Sequence, residues 1–157
     1  MLSADTEVLR IPFYCVLSCD QYMDLIKQSP RSPYDMNAGL VILPRTTDKA
    51  KAFHEGTLGE YHYGCPLDQA LFRFLGTTKE AFAKKVQTLQ TDEKIAEWIT
   101  RVFPKTQTEK DSFNNTERHK KPGDADSKSW LKSEQKRLGR NDYSTYFDNL
   151  DADEKRF

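Results

Sequence analysis

The chain has 157 residues, and its 24 Lys and Arg residues balance its 24 Asp and Glu residues. A chain of this length forms one domain and buries enough surface to fold without disulfides or a metal. The lack of a basic excess argues against constitutive binding to DNA or to a membrane surface. No apolar run reaches the roughly 20 residues that a membrane span needs. A mean hydropathy of -0.78 is low for a globular protein, so part of the chain is expected to be solvated.

The N-terminal region holds two of three irregularly spaced cysteines: Cys15, Cys19 and Cys65. An odd number without regular spacing does not indicate a disulfide framework, so a reduced cytoplasmic protein is expected. A loose match to a lipoprotein cleavage box ends at Cys19, but its acidic flanks do not fit an export signal. Because the stretch from Met23 reads like a protein start, residues 1–22 are interpreted as an extension outside the native domain. Residues 23–154 are then the single domain.

Helix start and stop signals predict a mainly α domain of five or six short helices. The first spans about 41–55, with Pro44 near its start and Gly56 after its end. Pro66 and Gly76 bracket the second, and Thr77-x-x-Glu80 reads as a capping box for the third. The later helices are expected after Thr91, after Asp126–Ser127 and over 143–150. The apolar runs at 11–17 and 39–43 allow one minor strand pair.

A polar insert is predicted at about 105–128, where only Phe113 and Ala125 are apolar. It is expected to be a solvated helix at most, or a mobile loop. The wider stretch 105–140 has ten Lys and Arg against six Asp and Glu. Because no aromatic residues interleave with the basic run 118–121, a solvated surface is favoured over nucleic-acid binding.

The densest reactive stretch runs from Glu60 to Asp68. Cys65 precedes Pro66 and therefore lies near a helix N-terminus, whose partial positive charge favours a thiolate. His62 could serve as its base and Asp68 as the group that orients His62, which would make Cys65 a nucleophile or a metal ligand. The structural alternative is a packed loop, a small buried cysteine and an aspartate that caps the helix.

A second cluster lies at the start of the predicted first helix. Arg45, Asp48 and Lys49 are spaced to share one helical face. Together they could hold an anionic group, with Tyr61 and Tyr63 walling the pocket. The alternative is a set of ion pairs within the helix. No metal site and no cofactor are assigned, because no combination of His54, His62, Cys65 and His119 has a diagnostic ligand spacing.

Three separated segments resemble a family of small bacterial domains of unknown function. They are SPRSPYDMNAGLVILPRTTDKAKA, GTLGEYHYGCPLDQALFRFLG and TYFDNLDADE. The resemblance covers residues 23–154 and departs at 36–38 and at the polar insert. It implies a mostly helical cytoplasmic protein and no particular activity. The positions that match the family pattern are Arg31, Arg45, Asp48, Lys49, Tyr61, Cys65 and Asp68.

Two functional hypotheses follow, and whether the protein is an enzyme stays open. The first is a soluble, non-catalytic binding or interaction module with an anion-accepting pocket near 44–49 and 61–68, whose partner is a small anionic ligand or a protein. The second is an enzyme that uses Cys65 as nucleophile or metal ligand with His62 and Asp68. Neither a membrane nor a nucleic acid is an expected partner.

Overall fold

The computed structural model describes residues 22–157. Within that range the chain forms seven helices and one two-stranded antiparallel sheet. The elements are β1 (Met36–Asn37), β2 (Leu40–Val41), α1 (Leu43–Glu55), α2 (Pro66–Leu75), α3 (Lys79–Leu89), α4 (Asp92–Val102), α5 (Gln107–Arg118), α6 (Ala125–Leu138) and α7 (Tyr146–Asp153). The mainly α fold with one minor strand pair is therefore confirmed.

The strand pair differs from the predicted one in its partner. Strand β2 falls in the apolar run at 39–43, but it pairs with Met36–Asn37, and the run at 11–17 lies outside the described residues. Ala38 and Gly39 join the strands with φ angles of 52° and 76°. Positive φ at both central residues is what a tight two-residue hairpin requires. The hairpin uses residues 40–41 as strand, so α1 begins at Leu43 rather than at Val41.

Helix α5 explains why the described chain has seven helices rather than five or six. A capping box between Thr106 and Glu109 starts it inside the polar insert. Asn114 then accepts a hydrogen bond from the Val41 N–H at 3.0 Å and donates one to the Gly39 carbonyl at 2.9 Å. Asn114 is buried, and Lys110 Nζ also donates to the Ala38 carbonyl at 2.8 Å, so polar side chains join the polar insert to the hairpin.

The main core lies between the hairpin, the first four described helices and α7. Its largest fully buried side chains come from the β2–α1 segment, α2, α3, α4 and α7: Leu40, Ile42, Leu43, Leu71, Phe72, Phe82, Ile95, Ile99 and Phe147. A smaller apolar cluster of Leu131, Tyr143 and Ala152 lies between α6 and α7. The main core encloses the first half of α1, which carries the charged residues of the second predicted cluster.

Local signals fix most helix ends, with shifts of one or two residues. Helix α2 begins at Pro66 and ends before Gly76, as predicted, and Gly76 has a left-handed φ of 79°. Helix α3 is capped by Thr78 rather than Thr77, because the Thr78 hydroxyl accepts the Ala81 N–H at 3.2 Å. In the same way Asp124, rather than Asp126–Ser127, caps α6. Both threonines, and all the residues considered at the start of α6, are of types favoured at the N-cap. The backbone conformation determines which of them caps the helix.

Candidate functional site

The first half of α1 is unusual because its charged side chains are buried. Every residue from Leu43 to Ala50 is buried, and Arg45, Asp48 and Lys49 are at most 3% exposed. A buried charge without a partner would cost several kcal/mol, so each must be paired. The partners come from distant segments of the chain rather than from α1 itself. The ion pairs within the helix that the spacing suggested are replaced by three tertiary ones.

Helix α1 also begins at a strained residue. Ile42 has a φ of 72° and a ψ of -34° and is fully buried. A β-branched side chain is disfavoured at positive φ. The Ile42 N–H donates to the Pro33 carbonyl at 3.0 Å, which ties this turn to the Pro-rich entry. The strained turn fixes the direction in which α1 leaves the hairpin, and with it the position of the charged residues.

The lysine of α1 lies at the centre of a polar cluster, which we call the Lys49 cluster: Thr46, Lys49, Cys65 and Asp68. The ammonium Nζ of Lys49 donates to Asp68 Oδ2 at 2.7 Å and to Cys65 Sγ at 3.2 Å. Asp68 is fully buried and also accepts the Thr46 hydroxyl at 2.7 Å and the Gly64 N–H at 2.8 Å. The carboxylate therefore holds the lysine in place, and the lysine reaches the sulfur.

Cys65 is the N-cap residue of α2, as the sequence predicted. Its side chain makes no capping hydrogen bond to the helix, and the residue is partly exposed. The sulfur thus contacts a buried ammonium group, in a residue that is itself partly exposed. The arrangement therefore places a cation and the N-terminus of a helix beside one thiol sulfur.

His62 and Tyr63, in the loop before Cys65, make different contacts. His62 is exposed, and its backbone carbonyl accepts a hydrogen bond from Lys49 Nζ at 3.4 Å. Within the described chain its ring makes no hydrogen bond. Tyr63 is buried, and its hydroxyl donates to the Lys79 carbonyl at 2.7 Å. Burial, together with the negative charges of Asp68 and Glu80, holds the pKa of Tyr63 well above its usual value.

Arg45 belongs to a separate group of charges. Its guanidinium makes a bidentate pair with Glu154 at 2.6 and 2.9 Å, which fastens α1 to the residue after α7. Its Cζ lies 5.7 Å from the centre of the Tyr61 ring. Burial and the Glu154 charge raise the pKa of Tyr61. Tyr61 also lines a cavity of about 530 Å³ formed by residues 25–29 and 59–61.

Asp48 pairs with an arginine that lies before the hairpin. Arg31 donates through Nη2 to Asp48 at 2.8 Å, and its Nη1 contacts Asp92 at the start of α4. Partial burial acts to raise the pKa of Asp92, but the Arg31 guanidinium outweighs it and lowers that pKa. In the sequence, Arg31 stood out only as a matching position, and Asp92 was not a candidate. A charged residue between two prolines was the available signal for Arg31, and nothing local pointed to its partners.

The predicted site residues therefore fall into three groups rather than one pocket. Lys49, Cys65 and Asp68 meet, and they join the two predicted motifs. Arg45 and Tyr61 form a second group with Glu154, and Asp48 joins the third. Within residues 22–157 no cluster of three or more His, Cys, Asp or Glu side chains could hold a metal ion, and no helix is long and apolar enough to cross a membrane.

The fold and these ion pairs define a small helical domain built around the buried charges of its first helix. The chain belongs to the family described as domain of unknown function (DUF5069), whose family model matches residues 27–156. This match confirms the resemblance to a domain family without a known function. A comparison with curated proteins found no match.

Proposed function

We propose that the protein works through the thiol of Cys65, which acts as a nucleophile toward a small electrophilic compound. The observation that carries this proposal is the 3.2 Å contact between Lys49 Nζ and Cys65 Sγ. The lysine is 3% exposed, and its Asp68 partner is fully buried. The proposed setting is the reducing cytoplasm of a bacterial cell, where an unpaired thiol persists.

The buried position of Lys49 supports a lasting electrostatic effect of its ammonium group on the Cys65 sulfur. A buried ammonium group is screened by salt much less than an exposed one, and it stabilises a thiolate that it contacts. The hydrogen bond from Lys49 to Asp68 restricts the lysine to one conformation. Asp68 is thus a positioning residue that acts through Lys49. In this proposal the group that acts on the thiol is the Lys49 ammonium, not the His62 ring as a base.

The partial exposure of Cys65 supports access from solvent. A thiolate is useful as a nucleophile only where its reaction partner can reach the sulfur. The Cys65 side chain makes no capping hydrogen bond to α2. The sulfur is therefore not engaged by the helix backbone, while Lys49 contacts it.

The test is the rate at which iodoacetamide alkylates Cys65 at pH 7. It uses the full chain with Cys15→Ser and Cys19→Ser, so that Cys65 is the one thiol, and the rate is measured by mass spectrometry. The folded protein should react at least about threefold faster than the same chain unfolded in urea, since the Lys49 ammonium contacts the sulfur only in the folded chain. A folded rate equal to or below the unfolded rate would contradict the proposal.

A substitution at a second lysine distinguishes the effect of the Lys49–Cys65 contact from the effect of the protein's overall positive charge. Lys79 lies near the same loop and packs over the Tyr63 ring at 5.6 Å. Lys79→Met should leave the alkylation rate of Cys65 unchanged, whereas Lys49→Met should lower it toward the unfolded rate. Equal effects of the two substitutions would mean that the overall positive charge, and not the Lys49 contact, sets the rate.

The second candidate function is that of a non-catalytic binding module for a small anionic ligand. It is favoured by the cavity of about 530 Å³ that Tyr61 lines, a volume in the range of small-molecule sites. The Arg45 guanidinium lies 5.7 Å from the centre of the Tyr61 ring, although Glu154 already neutralises it. Titration with inorganic phosphate, followed by amide NMR, should shift signals of residues 25–29 and 59–61 if this candidate is correct. Shifts confined to other surfaces, or none, would exclude phosphate at this cavity.

A further inference from the structure

We propose that Cys65 and Lys49 are a modification site: oxidation of the thiol by hydrogen peroxide leads to a covalent sulfur–nitrogen bond between the two side chains. This inference rests on the proposed reactivity of Cys65. The two atoms that would bond, Sγ and Nζ, already lie 3.2 Å apart. Lys49 is held there by Asp68 at 2.7 Å and by the His62 carbonyl at 3.4 Å.

The first step is the ordinary oxidation of a thiolate. The Cys65 thiolate attacks one oxygen of hydrogen peroxide, the O–O bond breaks, and hydroxide leaves. The sulfur becomes a sulfenic acid and is oxidised by two electrons, while the peroxide is reduced by two electrons. Cys65 is partly exposed, and the step requires that the small oxidant reaches its sulfur.

The second step joins the neighbouring amine to the oxidised sulfur. Asp68 takes a proton from the Lys49 ammonium group through their 2.7 Å hydrogen bond. The nitrogen then attacks the sulfur, the S–O bond breaks, and the hydroxyl leaves as water with a second proton from the nitrogen. A sulfenic acid condenses in the same way with thiols and with backbone nitrogen. In the described part of the chain Cys65 is the one cysteine, so the nucleophile in contact with its sulfur is Lys49.

The cross-link would change both the charge and the connectivity of the Lys49 cluster. The nitrogen loses its positive charge, and Asp68 becomes a neutral carboxylic acid, so no unpaired charge is left buried. Helix α1 becomes covalently joined to the N-terminus of α2. The sulfur is also protected from irreversible oxidation to the sulfinic acid. A small thiol can attack the sulfur and break the S–N bond, which releases the Lys49 amine and leaves a mixed disulfide, and a second thiol then attacks that disulfide and releases the Cys65 thiol.

The experiment treats the folded full chain, with Cys15→Ser and Cys19→Ser, with a small molar excess of hydrogen peroxide. Intact mass should fall by two hydrogen atoms per chain without dimer formation. Trypsin should no longer cleave after Lys49, and the peptides that contain Lys49 and Cys65 should be recovered as one linked species. Dithiothreitol should reverse all three changes.

Two variants, and dimedone as a reagent that labels sulfenic acids, distinguish the possible results of this experiment. Lys49→Arg keeps a positive charge but has no amine, so it should gain oxygen instead of losing hydrogen, and Lys79→Met should behave like the parent chain. If Lys49→Arg does not fold, peptide mapping of the parent chain decides alone. Dimedone labelling without a linked peptide would overturn the cross-link while leaving the reactive thiol intact. A linked peptide at a lysine other than Lys49 would also overturn it. Slow alkylation and no dimedone labelling would refute the proposed function instead.

Discussion

The pair formed by Lys49 and Asp68 gives the sharpest stability prediction. Lys49→Met removes the ammonium group and leaves the Asp68 carboxylate fully buried, with hydrogen bonds from the Thr46 hydroxyl and the Gly64 N–H only. Breaking one partner of a buried ion pair costs about 3–5 kcal/mol. A domain of this kind has a total free energy of unfolding of about 5–15 kcal/mol. The variant should therefore lose a large part of its stability.

Urea unfolding, followed by the fluorescence of the buried Trp98, measures this loss. With a urea dependence of about 2 kcal/mol per molar, the midpoint should fall by about 2 M. Asp68→Asn should also be destabilising, because it removes the carboxylate that pairs with the buried Lys49 ammonium. The double variant Lys49→Met/Asp68→Asn should cost less than the sum of the two, since no charge then remains buried. A cost for Lys49→Met below about 1 kcal/mol, or costs that simply add, would show that the ammonium is solvated and that the pair does not act as a buried unit.

Three further outcomes test other parts of the fold. Asn114→Ala should destabilise by about 2–3 kcal/mol in urea unfolding, because it leaves a buried backbone N–H of β2 without a partner. Glu154→Gln should lower the free energy of unfolding by about 3 kcal/mol at neutral pH, since it removes the charge facing the Arg45 guanidinium. An unchanged midpoint of urea unfolding would show that the Arg45–Glu154 pair is solvated. Arg31 lowers the pKa of Asp92, so the stability from this pair is present above the unfolded carboxyl value of about 4 and is lost as pH falls through the folded value. Asp92→Asn should therefore lower the urea midpoint slightly at pH 7 and not at pH 2, and an equal loss at both values would contradict the assigned cause.

The sequence predicted those features that depend on neighbouring residues. Pro66 and Gly76 set the bounds of α2 locally, and the apolar spacing located most of the core helices. The position of Cys65 at the N-terminus of α2 followed from the same signals. Features of this kind need only the preferences of adjacent residues, which the sequence shows directly.

The partners of the charged residues could not be predicted in this way. Glu154 lies 109 positions from Arg45, and Asp68 lies 19 positions from Lys49. A spacing that puts three charges on one helical face is equally compatible with solvent and with burial. The burial of the start of α1 in the main core is a property of the tertiary structure. Because a buried charge is costly without a partner, each of the three charges is paired with a residue from elsewhere in the chain. For the same reason Asn114 appeared in the sequence as one more polar residue of a solvated insert.

The proposed function requires that Lys49, fixed by Asp68, makes Cys65 reactive. The most direct measurement is the rate of Cys65 alkylation by iodoacetamide at pH 7 in the folded double variant Lys49→Met/Asp68→Asn, in the background that lacks Cys15 and Cys19. This variant removes the cation without leaving a buried charge, so it isolates the contact from the fold. We expect a rate lower by about threefold or more than that of the folded parent chain. A folded double variant that reacts as fast as the parent would mean that Lys49 does not activate the thiol.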